Sequence, residues 1–285
     1  MTVEHVGIVG SGIMGSGVAE VAARAGCTVV LRSRTRRGAD DMIAGLEKSL
    51  GKQVEKGKLD DADRHAVLDR VQAVTDLDEL AKCDLVLESV VEDLPTKKHL
   101  FNELDRICAD STILATNTST LPVVELAMET RRPDRVCGIH FFNPASMMPL
   151  VEVVRAITTG DETIATARAF AERCGKTVVD VRDQAGFIVN ALLFPYLNNA
   201  VKLLEAGVAR RDDIDTAMQG GCNFPMGPLR LLDLVGLDTS LAILEALYAE
   251  FKDPNYAPAP LLRRLVSAER YGRKSGAGFY EYRRH

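Results

Sequence analysis

Six residues, Gly10-Ser11-Gly12-Ile13-Met14-Gly15, stand directly between an apolar run of strand character, residues 3–9, and an amphipathic helical stretch, Ser16 to Ala25. That placement leaves few folds open. Glycines at this spacing permit a tight strand-to-helix turn, let the backbone approach a bulky anion closely, and aim the positive helix N-terminus at it. The segment predicts a dinucleotide site at the head of a βαβ unit, formed by Gly10, Gly12, Ile13, Met14 and Gly15.

The next predicted strand, Cys27 to Arg32, bears on which dinucleotide is bound. An Asp or Glu at its end would accept hydrogen bonds from the adenine ribose hydroxyls. Ser33 stands there instead, with Arg32, Arg34, Arg36 and Arg37 around it. Guanidinium groups suit a 2'-phosphate, so the expectation is NADP(H), contacted by Ser33, Arg34 and Arg37, with NAD(H) as the alternative.

Along residues 1–184 short β-rich runs alternate with helical stretches, the pattern of parallel strands joined by crossover helices. Strands are predicted at 3–9, 27–32, 71–74, 84–87, 112–116, 135–139, 149–154 and 176–181. Residues 39–69 are more than a crossover needs, and Met42, Leu46, Leu50, Leu59, Val67 and Leu68 recur at helical spacing. This predicts a helical hairpin projecting from the sheet. Its Lys48, Lys52, Lys56 and Lys58 are available to a ligand's phosphates, while the interspersed Glu47, Glu55, Asp60, Asp61 and Asp63 fit an ordinary solvated face at least as well.

Beyond residue 184 the strand signals stop. Helices are predicted at 186–205, 211–219, 227–234, 237–251 and 260–270, separated by Gly and Pro. The expected fold is α/β: a Rossmann-like N-terminal domain over 1–184 carrying the hairpin excursion, followed by an all-α C-terminal domain over 185–285 for substrate binding and dimerisation. The first of these helices contains Pro195, which should kink it, and is too apolar for solvent on all sides. It is expected to be wrapped by the later helices or buried in a subunit contact, with a homodimer through the C-terminal domain favoured.

A net charge of -5 argues against nucleic acid as the main partner. No apolar run approaches the ~20 residues that cross a bilayer, and the chain enters its first strand without a secretory leader. The six cysteines have no paired spacing, so reduced thiols in a cytoplasmic protein are expected, with no metal site.

Chemistry beyond cofactor binding must come from other residues. In Gly138-Ile139-His140-Phe141-Phe142-Asn143-Pro144 a histidine ends a predicted strand, on the side of an α/β sheet where ligands bind. Leu150-Val151-Glu152-Val153-Val154 places a carboxylate in another β-rich run, where a lone charge is costly. Singly, these residues read as a core histidine and an edge carboxylate. Paired across neighbouring strands, Glu152 would hold one ring nitrogen and leave the other to exchange a proton with substrate. Asn117-Thr118-Ser119-Thr120 follows a further strand, either as a turn and helix cap or with Ser119 hydrogen-bonded to substrate. Asn190 interrupts an apolar helical face and requires a partner in protein or ligand.

Taken in order, Gly-Ser-Gly-Ile-Met-Gly (10–15), Asn-Thr-Ser (117–119), His-Phe-Phe-Asn-Pro (140–144), Leu-Val-Glu-Val (150–153), Gly-Phe-Ile-Val-Asn (186–190), Pro-Met-Gly-Pro (225–228), Asp-Leu-Val-Gly-Leu-Asp-Thr (233–239) and Lys-Ser-Gly-Ala-Gly-Phe-Tyr (274–280) span the chain. The set resembles the 3-hydroxyacyl-CoA dehydrogenases, most nearly the single-function bacterial 3-hydroxybutyryl-CoA type. The resemblance implies interconversion of an L-3-hydroxyacyl thioester and its 3-ketoacyl counterpart. It implies His140 as general base, Glu152 as its orienting acid, Ser119 and Asn190 on the substrate oxygen, and Glu92, Lys97 and Asn117 along the cofactor. It also implies that the hairpin meets the CoA moiety.

Some residues depart from the family pattern. The acid after the second strand is missing, which bears on NAD preference. Ala145-Ser146-Met147-Met148-Pro149, Ala191 and Cys222-Asn223-Phe224 differ near the expected acyl site, leaving chain length and carrier open. An acyl carrier protein in polyketide precursor supply is an alternative to CoA. A cofactor-sensing protein without turnover is a further alternative, against which the retained His140 and Glu152 argue.

Overall fold

A single 8-stranded sheet organises the N-terminal part of the computed structural model, in which residues 1–282 are described. The chain separates into two units, Met1–Asp183 and Gln184–His285.

In the first unit the elements run β1 (His5–Val9), α1 (Ile13–Arg24), β2 (Thr28–Arg32), α2 (Arg36–Glu55), α3 (Asp61–Leu68), β3 (Val71–Val74), β4 (Leu85–Glu88), α4 (Leu94–Ile107), β5 (Ile113–Thr116), α5 (Val123–Ala127), β6 (Val136–Phe141), β7 (Leu150–Arg155), α6 (Asp161–Arg173) and β8 (Thr177–Arg182). The sheet order is β3-β2-β1-β4-β5-β6-β7-β8. β4, β5 and β6 are buried along their whole length, as strands covered by helices on both faces must be. Ile8, Leu31, Leu85, Leu87, Ile113 and Ile139 are among the side chains of this core.

One pairing departs from the all-parallel expectation: β6 and β7 run antiparallel, with His140 opposite Glu152. Only residues 142–149 connect these strands. A parallel return needs a crossover on the order of a dozen residues or more, whereas an antiparallel neighbour needs only a turn.

The excursion after β2 is the pair α2 and α3. It does not stand clear of the sheet as expected, because Met42, Leu46, Leu50 and Val67 join the core of the unit. Ser49 Oγ and Gln53 Nε2 also donate to the buried carboxylate of Glu20 on α1, at 2.8 and 2.7 Å. The four hairpin lysines are exposed.

The second unit contains α7 (Val189–Glu205), α8 (Arg211–Cys222), α9 (Pro228–Val235), α10 (Leu237–Phe251) and α11 (Pro260–Ser267). Phe194, Leu197, Val201, Leu229, Leu232, Leu244, Leu247 and Leu262 form its core, and Pro195 lies inside α7. Two buried carboxylates secure the C-terminal segment. Asp215 accepts from the Leu229 N–H (2.8 Å) and the Tyr280 hydroxyl (2.8 Å), and Asp233 from the Phe279 and Tyr280 N–H groups (2.9 and 2.8 Å).

All six cysteines are free, and burial pushes the Cys83 and Cys137 thiols up to about 12, which keeps them protonated and inert. No helix among the described residues is long and apolar enough to cross a membrane.

Candidate active site

The glycine turn joins β1 to α1, and its three glycines have different tasks. Gly10 takes φ +137°, and a Cβ there would lie 2.3 Å from the Ser89 carbonyl oxygen. At Gly15 a Cβ would lie 2.1 Å from the Gly10 carbonyl oxygen, so the turn cannot close over any larger residue. At Gly12 a Cβ would meet nothing within 4 Å. Gly12 is the N-cap of α1 without a side-chain cap, so helix N–H groups are left available beside open space. That geometry fits a dinucleotide pyrophosphate. Ile13 is 76% exposed next to the same space, whereas Met14 packs against the core.

At the end of β2 the Ser33 side chain is buried rather than presented to solvent. Gly38 in the first turn of α2 sits against it, since a Cβ at Gly38 would be 2.3 Å from Ser33 Oγ. Arg32 donates from Nε to the Thr75 carbonyl at 3.1 Å. Arg34, Arg36 and Arg37 are exposed. Arg36 and Arg37 pair with Asp40 and Asp41 at 3.0 and 3.8 Å, contacts of little strength in water, and none of the described ion pairs involves Arg34. The first turn of α2 contains no acidic residue although the helix dipole favours one there.

The ends of β4, β5 and β6 lie side by side, because these strands are sheet neighbours. Asn117, just after β5, accepts the Phe141 N–H on its Oδ1 at 2.8 Å, which ties the end of β5 to the end of β6. Ser119 follows in the same turn. Its N–H and the hydroxyl of Thr118 both donate to Glu92, the former at 2.9 Å. Burial alone would raise the Glu92 carboxyl, but the charge of Lys97 and the bonds from Thr118 and Ser119 outweigh it and hold the group below the usual carboxylate range.

At the centre, His140 Nδ1 lies 2.7 Å from Glu152 Oε2, with both side chains buried. The carboxylate accepts the Nδ1 proton, so in the neutral ring Nε2 carries the lone pair. Ser119 Oγ is 3.1 Å from Nε2. The Phe142 ring lies 4.6 Å from the imidazole, centroid to centroid, tilted by 56°. The geometry therefore forms a line, Glu152 to His140 to Ser119, in which one ring nitrogen meets a buried carboxylate and the other a hydroxyl. Such a line exchanges a proton with an oxygen placed near both Nε2 and Oγ.

Asn190 belongs to the second unit, where it is buried in the first turn of α7. Glu88, which the sequence reading did not single out, is a fully buried carboxylate at the end of β4 that accepts from Lys97 Nζ on both oxygens, at 2.7 and 2.9 Å. Its signal was available in Leu85-Val86-Leu87-Glu88, a charge closing an apolar run at the ligand-binding edge of the sheet.

Comparison with known proteins gives a consistent result over the whole chain. The family description "3-hydroxyacyl-CoA dehydrogenase, NAD binding domain" matches residues 5–184, and "3-hydroxyacyl-CoA dehydrogenase, C-terminal domain" matches residues 186–282. A 3-hydroxybutyryl-CoA dehydrogenase of Mycobacterium tuberculosis is 46% identical over 282 residues, covering 98% of this chain and 99% of that protein. The crystal structure of M. tuberculosis FadB2 is similar at a TM-score of 0.97 and 45% identity, covering 99% of this chain and 100% of that one. That of the (S)-3-hydroxybutyryl-CoA dehydrogenase PaaH1 from Ralstonia eutropha is similar at 0.96 and 40%, with the same coverage.

Proposed function

The chain belongs to the 3-hydroxyacyl-CoA dehydrogenase family, and from that premise we propose how its residues divide the interconversion of an L-3-hydroxyacyl-CoA and the 3-ketoacyl-CoA. The activity is a nicotinamide-dependent oxidoreduction at C3 of the acyl group, and we take the acyl group as short, 3-hydroxybutyryl being the type. The bound cofactor supplies the hydride acceptor, or in reverse the donor.

His140 removes the hydroxyl proton through Nε2 as C3 is oxidised, and Glu152 stabilises the imidazolium that results. In the reducing direction the imidazolium returns that proton to the keto oxygen. Ser119 turns its hydroxyl toward the same oxygen and stabilises negative charge as it develops, while Asn190 is assigned the other contact to it. The observation that carries this assignment is the unbroken line from Glu152 through His140 to Ser119.

For the cofactor, NADP(H) is favoured. The support is a serine in place of the ribose-binding acid, an Arg34 without an ion pair among those described, and arginines where the α2 dipole would prefer an anion. Gly10, Gly12, Ile13, Met14 and Gly15 are assigned to the pyrophosphate, Ser33, Arg34 and Arg37 to the 2'-phosphate, and Glu92, Lys97 and Asn117 to the nicotinamide half. In the second unit Leu192, Leu203, Phe224, Leu234 and Tyr248 are large exposed apolar side chains, which supports a homodimer through that unit. Six free cysteines suit a reducing cytoplasm.

The test is steady-state turnover of acetoacetyl-CoA, compared with the same acyl group on a carrier protein and with NADPH against NADH. Turnover of the CoA thioester with NADPH is expected. Turnover of the carrier thioester alone would move the substrate assignment to the carrier.

A further inference from the structure

The loop over residues 142–149 joins the strand that carries His140 to the strand that carries Glu152, so its seating bears on both side chains. Among residues 143–149 only Ala145 is buried, and the rest are exposed. The turn closes on itself with two bonds, from the Met147 and Met148 N–H groups to the Pro144 carbonyl, at 3.0 Å each. One alanine methyl removes little apolar area from water, so burial alone does not hold such a segment in place.

Lys176, in the link between α6 and β8, supplies a further anchor. Its Nζ donates to the Ala145 carbonyl at 2.6 Å and to the Met148 carbonyl at 2.9 Å, and so grips the loop at two points. The adjoining Thr177 N–H donates to the Pro149 carbonyl at 2.7 Å. Hydrogen bonds from an ionised donor are roughly twice as strong as neutral ones. On its other side the loop meets α1, where a Cβ at Gly17 would lie 3.2 Å from the Ala145 Cβ. The helix assigned to the pyrophosphate and the loop after His140 are thus in close contact at a glycine.

Resting on the function above, we propose that Lys176 is a positioning residue: by gripping Ala145 and Met148 it seats the β6–β7 loop against α1 and holds His140 and Phe142 in place relative to the cofactor helix. The charge on Nζ is part of the grip. Burial lowers the pH at which the Lys176 ammonium gives up its proton; Arg24 on α1 acts in the same direction, while Cys174 and Glu20 on α1 oppose it. The Cys174 thiol is itself pushed up to about 12 by burial, and residues 143–149 contain no titratable side chain. In alkaline solution Lys176 therefore loses its proton before an exposed lysine would, both bonds lose their charge, and the loop loosens. An arginine at this position would keep its charge throughout that range.

The experiment measures kcat, KM for each substrate, the pH profile of kcat and the melting temperature for the full-length parent, Lys176→Met and Lys176→Arg. Misplacing the loop in Lys176→Met lowers kcat at neutral pH by about 10-fold or more, with each KM within about 3-fold of the parent's. Lys176→Arg keeps kcat within about 3-fold at neutral pH, and the basic limb seen in the parent moves to higher pH. A Lys176→Met enzyme with parental kcat and only a lower melting temperature would make the lysine a purely structural anchor and overturn the proposal, as would an effect confined to KM. Should Lys176→Met fail to fold, Lys176→Arg decides alone: a basic limb carried to higher pH supports the proposal, and an absent or unmoved limb overturns it. The parent's turnover of acetoacetyl-CoA is the reference throughout, so its failure speaks against the function and not against this arrangement.

Discussion

Ser119 Oγ lies 3.1 Å from His140 Nε2, the ring nitrogen opposite the one that meets Glu152. The serine is delivered by the turn after β5 and the histidine by the end of β6, so adjacency of two parallel strands creates the contact. Removing the hydroxyl with Ser119→Ala should lower kcat by about 10²- to 10³-fold, the range for losing one donor to a developing oxyanion. The check is kcat with saturating substrates, alongside an unchanged circular dichroism spectrum. An effect confined to KM would place Ser119 in ground-state binding instead.

The glycine turn gives a paired prediction that separates packing from ligand binding. Gly15→Ala should destabilise the fold, since its Cβ would lie 2.1 Å from a carbonyl oxygen, whereas Gly12→Ala should leave the melting temperature near the parent's. Gly12→Ala nonetheless adds a methyl where the pyrophosphate is expected, and should raise cofactor KM by about 10-fold or more. Thermal melts and cofactor titrations of both variants provide the comparison. A Gly12→Ala enzyme with parental cofactor KM would put the pyrophosphate elsewhere.

Cofactor choice can be read by kcat/KM with NADPH and with NADH. The parent should favour NADPH. Arg34→Ala should cut kcat/KM for NADPH by roughly 10-fold or more, the loss of one charge-assisted hydrogen bond, and leave NADH nearly unchanged. A parent that favours NADH refutes the 2'-phosphate assignment.

Away from the site, Asp105 on α4 should contribute measurably to stability. It is buried and accepts from Arg131 Nε at 2.9 Å and from the buried Arg132 Nε at 2.8 Å. Burial raises its carboxyl, but the bonds from Arg131 and Arg132 outweigh burial and hold it below the usual carboxylate range. A group depressed on folding contributes stability that is fully present above the unfolded value and is lost as pH falls through the folded one. Asp105→Ala should therefore cost about 3 kcal/mol in denaturant unfolding at neutral pH, by leaving the buried Arg132 charge with only the exposed Asp110, at 3.8 Å, as counter-charge. The difference from the parent should shrink under acid conditions, and a constant difference would contradict this origin.

Much of the molecule was legible in the residues because local signals and tertiary structure agree. The apolar runs of β1, β4, β5 and β6 and the glycine turn all report strong local preferences. His140 and Glu152 were legible as a pair because a charge in a buried strand needs a counterpart nearby. The antiparallel return of β7 was not read, although the short link over residues 142–149 contained the information. The packing of α2 on α1 was hidden because its polar anchor, Glu20, lies 29 residues from Ser49 and looks like any helical surface acid. Glu88 was missed for a related reason: one carboxylate after an apolar run reads as the end of a strand until Lys97, from the next helix, is seen to reach it.

The central claim is that the imidazole of His140 is the proton acceptor, and the most direct measurement is the turnover of acetoacetyl-CoA by His140→Gln beside the parent. Glutamine keeps a polar side chain of similar reach but cannot take up a proton. The account predicts a folded variant slower by about 10²- to 10⁴-fold in kcat. A folded variant that turns over at the parental rate would contradict it.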